Sequence, residues 1–89
     1  MRRNFSYIQR RIRDRLVYPS RARRAGIQGT AEIGFTVHRD GTVSAVTVLV
    51  SSGQESLDQA AVAAIHAAAP FPPPPVQVRL VIPLSFRLR

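Results

Sequence analysis

Residues 30–50 read TAEIGFTVHRDGTVSAVTVLV. Two runs rich in Val, Thr and Ile, Thr30–His38 and Val43–Val50, flank the dipeptide Asp40-Gly41. Runs of this composition are strand-like, and Asp-Gly favours a two-residue hairpin turn with positive φ at both central positions. That turn predicts a register: Arg39 opposite Thr42, Val37 opposite Ser44, Phe35 opposite Val46, Ile33 opposite Val48 and Ala31 opposite Val50. One face then gathers Ile33, Phe35, Val37, Val46, Val48 and Val50, the expected core face. The other gathers Glu32, Gly34, Thr36, His38, Val43, Thr47 and Leu49. A slip of one residue would carry Glu32 and His38 inside, so the register is expected to be firm.

Beyond the hairpin, Ser51-Ser52-Gly53 breaks the strand. A helix is expected over 55–69, where seven alanines give high propensity. Leu57, Ala61, Ala64, Ile65 and Ala68 form its buried stripe. Glu55 and Asp58 lie in its first turn, where the helix dipole favours acids. Pro70 ends it. Phe71-Pro72-Pro73-Pro74-Pro75 is extended, polyproline-like chain, read as a stiff connection packed by Phe71. A third strand is expected over 77–88, with Leu80, Ile82, Leu84, Phe86 and Leu88 inward. Pro83 has no N–H, so this is an edge strand with the Pro83 nitrogen facing outward. Val81, Ser85 and Arg87 then point their backbone groups the same way.

Toward the N-terminus, Gly26 and Gly29 lie in a stretch over 19–29 that reads as a short turn or partial helix followed by a loop. Tyr18-Pro19 ends a preceding helix, because a residue before proline avoids the α region. That helix is expected over 5–16, with Phe5, Ile8, Ile12 and Leu16 on one face and Asn4 as N-cap. The order α-β-β-α-β specifies a single α+β domain over 1–89. It is a three-stranded antiparallel sheet, strand order 2-1-3, with two helices on one face. The connection through the second helix is expected to be right-handed.

Charge is distributed unevenly. The 89 residues carry a net charge of +8, and all thirteen basic residues are Arg. Nine of them fall in residues 1–24, where Asp14 is the lone acid; residues 25–89 balance four Arg against Glu32, Asp40, Glu55 and Asp58. The protein is a neutral body with a basic N-terminal arm. The arm reads either as a nucleic-acid footprint or as a solvated face for an acidic partner or anionic surface. No aromatic stacking platform accompanies it, since Phe35 and Phe86 belong to the core face.

Catalytic chemistry has little to stand on. His38 on a strand and His66 on a helix have no ligand spacing to each other or to a carboxylate pair. The four acids of the body each have a structural explanation. Gly26-Ile27-Gln28-Gly29 lacks the following Lys-Ser/Thr of a phosphate loop and precedes a strand. With no Cys in the chain, a disulfide framework and a zinc-cysteine site are excluded. No stretch is apolar for long enough to span a bilayer, and the N-terminus has no signal-peptide core. The chain is thus read as a binding module, not an enzyme, with no cofactor and no metal. An open edge strand is a hazard unless guarded or used, and Arg79, Arg87 and Arg89 are placed to guard it. The same edge is a ready dock for an extended peptide.

Several motifs in fixed order point further. They are Tyr18-Pro19 followed by Ala22-Arg23, Gly26 and Gly29, Asp40-Gly41, Ser51-Ser52-Gly53, Leu57-Asp58, Ala60-Ala61, Pro70-Phe71-Pro72 and the closing Phe86-Arg87-Leu88. Over residues 16–88 the chain resembles the C-terminal domain of the TonB family. The resemblance implies a periplasmic module of an energy transducer, anchored in the inner membrane by a segment outside this chain. It implies coupling, through those absent N-terminal regions, to a proton-motive-force-driven complex of the ExbB–ExbD type. It also implies that the chain is a fragment with an artificial start at Met1.

The implied partner is the TonB box of an outer-membrane transporter for siderophores, cobalamin or other scarce nutrients. In the family the box adds as a strand along the third strand, with help from the Tyr-Pro segment. Carried over by position, the contacts fall on Arg15, Leu16, Val17, Tyr18 and Pro19, and on Val81, Ile82, Pro83, Leu84, Ser85, Phe86, Arg87 and Leu88. Val81, Ser85 and Arg87 would supply outward N–H and C=O groups, Pro83 its carbonyl alone, and Tyr18 a packing surface or hydrogen bond. The same edge could pair with a second copy, giving a homodimer through the third strand. Two features depart from the family: the chain stops soon after the third strand, and the first helix is unusually Arg-rich. Complementarity of that helix to acidic residues of a transporter is the expectation. A TolA-like envelope domain and a small basic nucleic-acid-binding domain are the alternative readings.

Overall fold

The computed structural model describes residues 5–88. The expected N-cap Asn4, the arginines at 2 and 3, and the guarding Arg89 lie outside them. The elements are α1 (Ser6–Arg13), α2 (Ser20–Arg24), β1 (Gly29–Val37), β2 (Val43–Val50), α3 (Glu55–Ala68) and β3 (Val78–Phe86). The antiparallel sheet has the order β2-β1-β3, as expected.

One face of the sheet carries the helices, and the core lies between. Ala31, Ile33, Phe35 and Val37 of β1 meet Ile8 and Ile12 of α1, Leu57, Ala61 and Ile65 of α3, and Ile82, Leu84 and Phe86 of β3; all are buried. Removing this apolar surface from water is what holds the two layers together. Arg11 ties the helices to each other, donating from Nε to the Ala68 carbonyl at 2.8 Å and from Nη2 to that of Pro70 at 3.3 Å. Phe71 is buried and stacks on Phe35, ring centroids 6.4 Å apart, which fastens the proline-rich connection to the core.

Helix α1 stops at Arg13 rather than Leu16. Its last residues tighten into three-residue bonds, Arg15 N–H to the Ile12 carbonyl and Leu16 N–H to that of Arg13. The apolar stripe therefore continues to Leu16, half-buried against the core, without a regular α turn. The short turn foreseen after Pro19 is α2, entered from Pro19 at φ −59°.

The hairpin corrects the expected register at both ends. The turn has three residues, Arg39, Asp40 and Gly41: the His38 N–H bonds the Thr42 carbonyl at 2.8 Å and the Gly41 N–H the His38 carbonyl at 2.9 Å. Only Gly41 takes positive φ, at 90°. Asp40 instead accepts from the Thr42 N–H at 3.0 Å and the Thr42 hydroxyl at 2.6 Å, a side-chain closure that needs no left-handed Asp. Val37 thus faces Val43, not Ser44, and Val43 is on the core face. Ala45, at φ 52°, then inserts an extra residue, which restores Ile33 opposite Val48. A second shift puts Val50 opposite Glu32, so Val50 lies on the open face, half exposed, and not in the core.

The break at 51–54 is organised by Asp58. Its carboxylate accepts from the Ser51 hydroxyl, from the Ser52 N–H at 2.8 Å and from the Ser52 hydroxyl at 2.7 Å. Burial works against the charge, but these bonds outweigh it and hold the Asp58 carboxyl below its ordinary pKa of 3.8.

Candidate functional site: the free edge of the third strand

β3 pairs with β1 from Gly29↔Phe86 to Val37↔Val78 without a single register shift. Its other side has no strand neighbour among the described residues. Pro83 stands opposite Glu32. Having no N–H, it cannot belong to a pair that exchanges two hydrogen bonds, so the bonded pairs are its neighbours Ile33↔Ile82 and Ala31↔Leu84. Alternation then sends the N–H and C=O groups of Val81, Ser85 and Arg87, and the Pro83 carbonyl, away from the sheet. The edge is a regular row of unsatisfied backbone groups interrupted at one donor.

Side chains divide the same segment by face. Ile82, Leu84 and Phe86 are buried under the helices, so they present backbone alone. Val81, Pro83, Ser85 and Arg87 are exposed on the open face, Val81 by 53%. The Ser85 hydroxyl bonds that of Thr30 on the neighbouring strand, at 2.9 Å. Leu88 lies beyond the strand, half-buried, its N–H held by Gln28 Oε1 at 2.6 Å.

Of the segment Arg15 to Pro19, Tyr18 reaches the C-terminal end of this strand. Tyr18 packs edge-on against Phe86, centroids 5.4 Å apart, and its hydroxyl donates to the Ile27 carbonyl. Leu16 and Pro19 are half-buried, Arg15 is exposed, and Val17 is 71% exposed. Tyr18 is therefore a wall fixed to the strand. Tyr18, Arg23, Arg87 and Leu88 line a cleft there.

Sequence reasoning missed the opposite end of the edge. Phe5, Ser6 and Gln9 of α1 form a groove with Leu80, Val81 and Ile82. Helical spacing puts Ser6, Gln9 and Arg13 on one flank of α1, but which neighbour that flank overlooks depends on how α1 docks. Arg79 was expected to guard the edge. It reaches inward instead: Nη1 donates to the Ala45 carbonyl of the β2 bulge at 2.8 Å and to the Thr36 hydroxyl at 3.3 Å. Gly34 makes room beneath it, since a Cβ there would lie 2.9 Å from the guanidinium. Among the described residues no group of His, Asp and Glu is arranged to hold a metal ion, and no helix is long and apolar enough to cross a membrane.

The accessible features of this two-layer α+β domain are the regular open edge of β3 and a basic flank. The family model described as "Gram-negative bacterial TonB protein C-terminal" matches residues 14–88, and the chain belongs to this family. It is 37% identical over 83 residues to Protein TonB of Helicobacter pylori strain J99, covering 92% of this chain and 30% of that protein. It is 36% identical over 85 residues to Protein TonB of Pasteurella multocida, covering 93% and 33%. The chain thus spans about a third of the length of these relatives. The solution structure of the Helicobacter pylori TonB C-terminal domain, residues 179–285, superimposes with a TM-score of 0.83 at 37% identity, covering 92% of this chain and 78% of that one. The C-terminal domain of HasB superimposes with a TM-score of 0.59 at 37% identity, covering 94% and 69%.

Proposed function

We propose that this domain is the periplasmic, non-catalytic docking module of a TonB-type energy transducer. It takes the TonB box of an outer-membrane nutrient transporter as an added strand along β3. The observation that carries the reading is the edge itself: unshifted through all its pairs, open on one side and walled by Tyr18. The docking residues are the outward backbone groups of Val81, Pro83, Ser85 and Arg87, with Tyr18 and its neighbours at one end. Membrane anchorage and coupling to an ExbB–ExbD-type complex belong to regions of the transducer outside this domain.

The magnitudes suit a contact that is made and released repeatedly. About five interstrand hydrogen bonds at about 0.5–1.5 kcal/mol net each amount to a few kcal/mol. Ordering a flexible peptide opposes them, so affinity for an isolated box is expected to be micromolar or weaker.

An amide-shift NMR titration with TonB-box peptides tests the reading. Shifts concentrated on residues 79–88 and around Tyr18, lost in Val81→Pro, are expected. Shifts confined to the arginines of α1 and α2, and appearing equally with a single-stranded oligonucleotide, would overturn it. Broadening of the β3 amides with rising protein concentration and no peptide would mean that the edge is taken by a second copy.

A further inference from the structure

Strand addition along β3 leaves most of the N-terminal arm without a role. Of its described arginines, Arg11 is engaged by the Ala68 and Pro70 carbonyls, and Arg23 lines the cleft beside Tyr18. Arg10, Arg13, Arg15, Arg21 and Arg24 are exposed and form no ion pair or side-chain hydrogen bond among the described residues. Asp14 is the lone acid among them. A cation near a helix C-terminus suits the dipole, but five free guanidinium groups on so short a stretch exceed that need and repel one another.

The fold turns these groups outward. Ile8 and Ile12 of α1 and Ala22 of α2 are buried in the same core. Arg10 is two residues from both isoleucines, and Arg24 is two from Ala22. Two residues are just over half a helical turn, so both arginines lie on the outer sides of their helices. Between the helices, exposed Arg15 and Val17 alternate with half-buried Leu16 and Tyr18. Val17 is 71% exposed, the largest fraction among the large apolar side chains described. An apolar tip therefore stands close along the chain to Arg13, Arg15 and Arg21.

We propose that the outer surface of α1, α2 and their connection is a peripheral membrane-contact site, and that its ligand is the anionic phospholipid of a bilayer. Guanidinium groups pair with phosphate oxygens through two parallel hydrogen bonds. An exposed apolar side chain flanked by cations suits the boundary where headgroup phosphates overlie acyl carbons. A nucleic acid is the poorer fit, because it would need rings on which to stack its bases. All six rings are engaged: Phe35, Phe71 and Phe86 are buried, Phe5 and Tyr7 pack against the core, and Tyr18 is held by Phe86. An acidic protein surface would satisfy the arginines but offer Val17 only charged groups to lie against. Each arginine at an anionic surface is expected to strengthen binding about fivefold. A domain resting reversibly on such a surface meets its partners within a layer rather than throughout a volume.

The test is co-sedimentation of the domain with vesicles of phosphatidylcholine alone and of phosphatidylcholine mixed equally with phosphatidylglycerol. Binding to the mixed vesicles alone is expected. It should fall away between about 0.01 M and 1 M salt, as the screening length drops from about 30 Å to about 3 Å. The doubly substituted Arg10→Gln, Arg24→Gln domain should bind about twentyfold more weakly, and Val17→Ser about threefold more weakly through lost apolar burial. Dispersed amide spectra certify the fold of both variants. With a nitroxide-bearing lipid in the vesicles, the amides of residues 10–17 and 21–24 should relax most strongly. Equal binding to both kinds of vesicle, no binding to either, or full retention in the arginine variant overturns the inference. A single-stranded oligonucleotide that strips the domain from the vesicles at a lower phosphate concentration than the lipid overturns it in favour of a nucleic-acid partner. No peptide enters these measurements, so strand addition along β3 stands or falls separately.

Discussion

The sheet has two edges, and they are built in opposite ways. β2 is broken twice, at Ala45 and again near Leu49, so its ladder to β1 changes step and its outer side offers no regular row of donors and acceptors. β3 keeps one register throughout. Bulges blunt an edge against unwanted pairing, and a straight edge invites it. In a three-stranded sheet one strand lies inside and two lie outside. With one outer strand broken and the other straight, the sheet has a single regular open edge among the described residues, the one to which the proposed docking is assigned.

The largest expected effect breaks the β2 side. A Cβ at Gly41 would fall 2.1 Å from the Phe71 carbonyl, at a φ of 90° that alanine resists, and the Gly41 carbonyl accepts the Phe71 N–H at 2.8 Å. Gly41→Ala should lower unfolding stability by about 3 kcal/mol or more, from strain and overpacking together. Chemical denaturation measures the loss, and amide exchange should show β2 opening before the β1–β3 ladder. Next, Val81→Pro or Ser85→Pro should weaken capture of an extended peptide by about tenfold to hundredfold, because an unsatisfied backbone acceptor costs about 1–3 kcal/mol. Thermal stability should barely change, since those N–H groups face outward. A loss of fold in both variants would mean that the odd residues of β3 bond β1.

Smaller effects sharpen the contrast. Arg79→Ala frees the Ala45 carbonyl and should cost about 1 kcal/mol. The protection lost should appear on β2 at residues 45–47, although the substitution is on β3. Ala45→Gly should stabilise the domain by about 1 kcal/mol, since alanine is strained at φ 52°. A loss of stability there would mean that the bulge depends on the Ala45 methyl. The smallest effect is a pH dependence. Asp40 is held below its ordinary pKa of 3.8 by the Thr42 hydroxyl and then the Thr42 N–H, and Asp58 by its serine bonds. Both carboxylates bind protons less readily folded than unfolded. Their contribution is therefore complete above pH 3.8 and is lost as pH falls through the lowered values. Asp58→Asn should remove part of that acid sensitivity in a thermal-melt series taken below pH 5, on the order of where carboxylates begin to titrate.

What the sequence settled by itself was whatever depends on neighbours along the chain. Val/Thr/Ile alternation marked the strands, alanines and Pro70 bounded the second helix, and Pro83 announced an outward-facing edge because a missing N–H is a property of the residue alone. The motif order around Tyr18-Pro19, Asp40-Gly41 and Phe86-Arg87-Leu88 pointed to the family. Tertiary structure decided the rest. The hairpin register turned on Asp40 closing on Thr42 and on Gly41 docking against Phe71, thirty residues away in sequence. Arg79 left the edge it was expected to guard because the bulge at Ala45 exposed a carbonyl within its reach, across a glycine. The flank of α1 that borders β3 was fixed by which of its sides packed on the core and on α3. These outcomes are competitions between contacts distant in the chain, and local propensity carries no information about them.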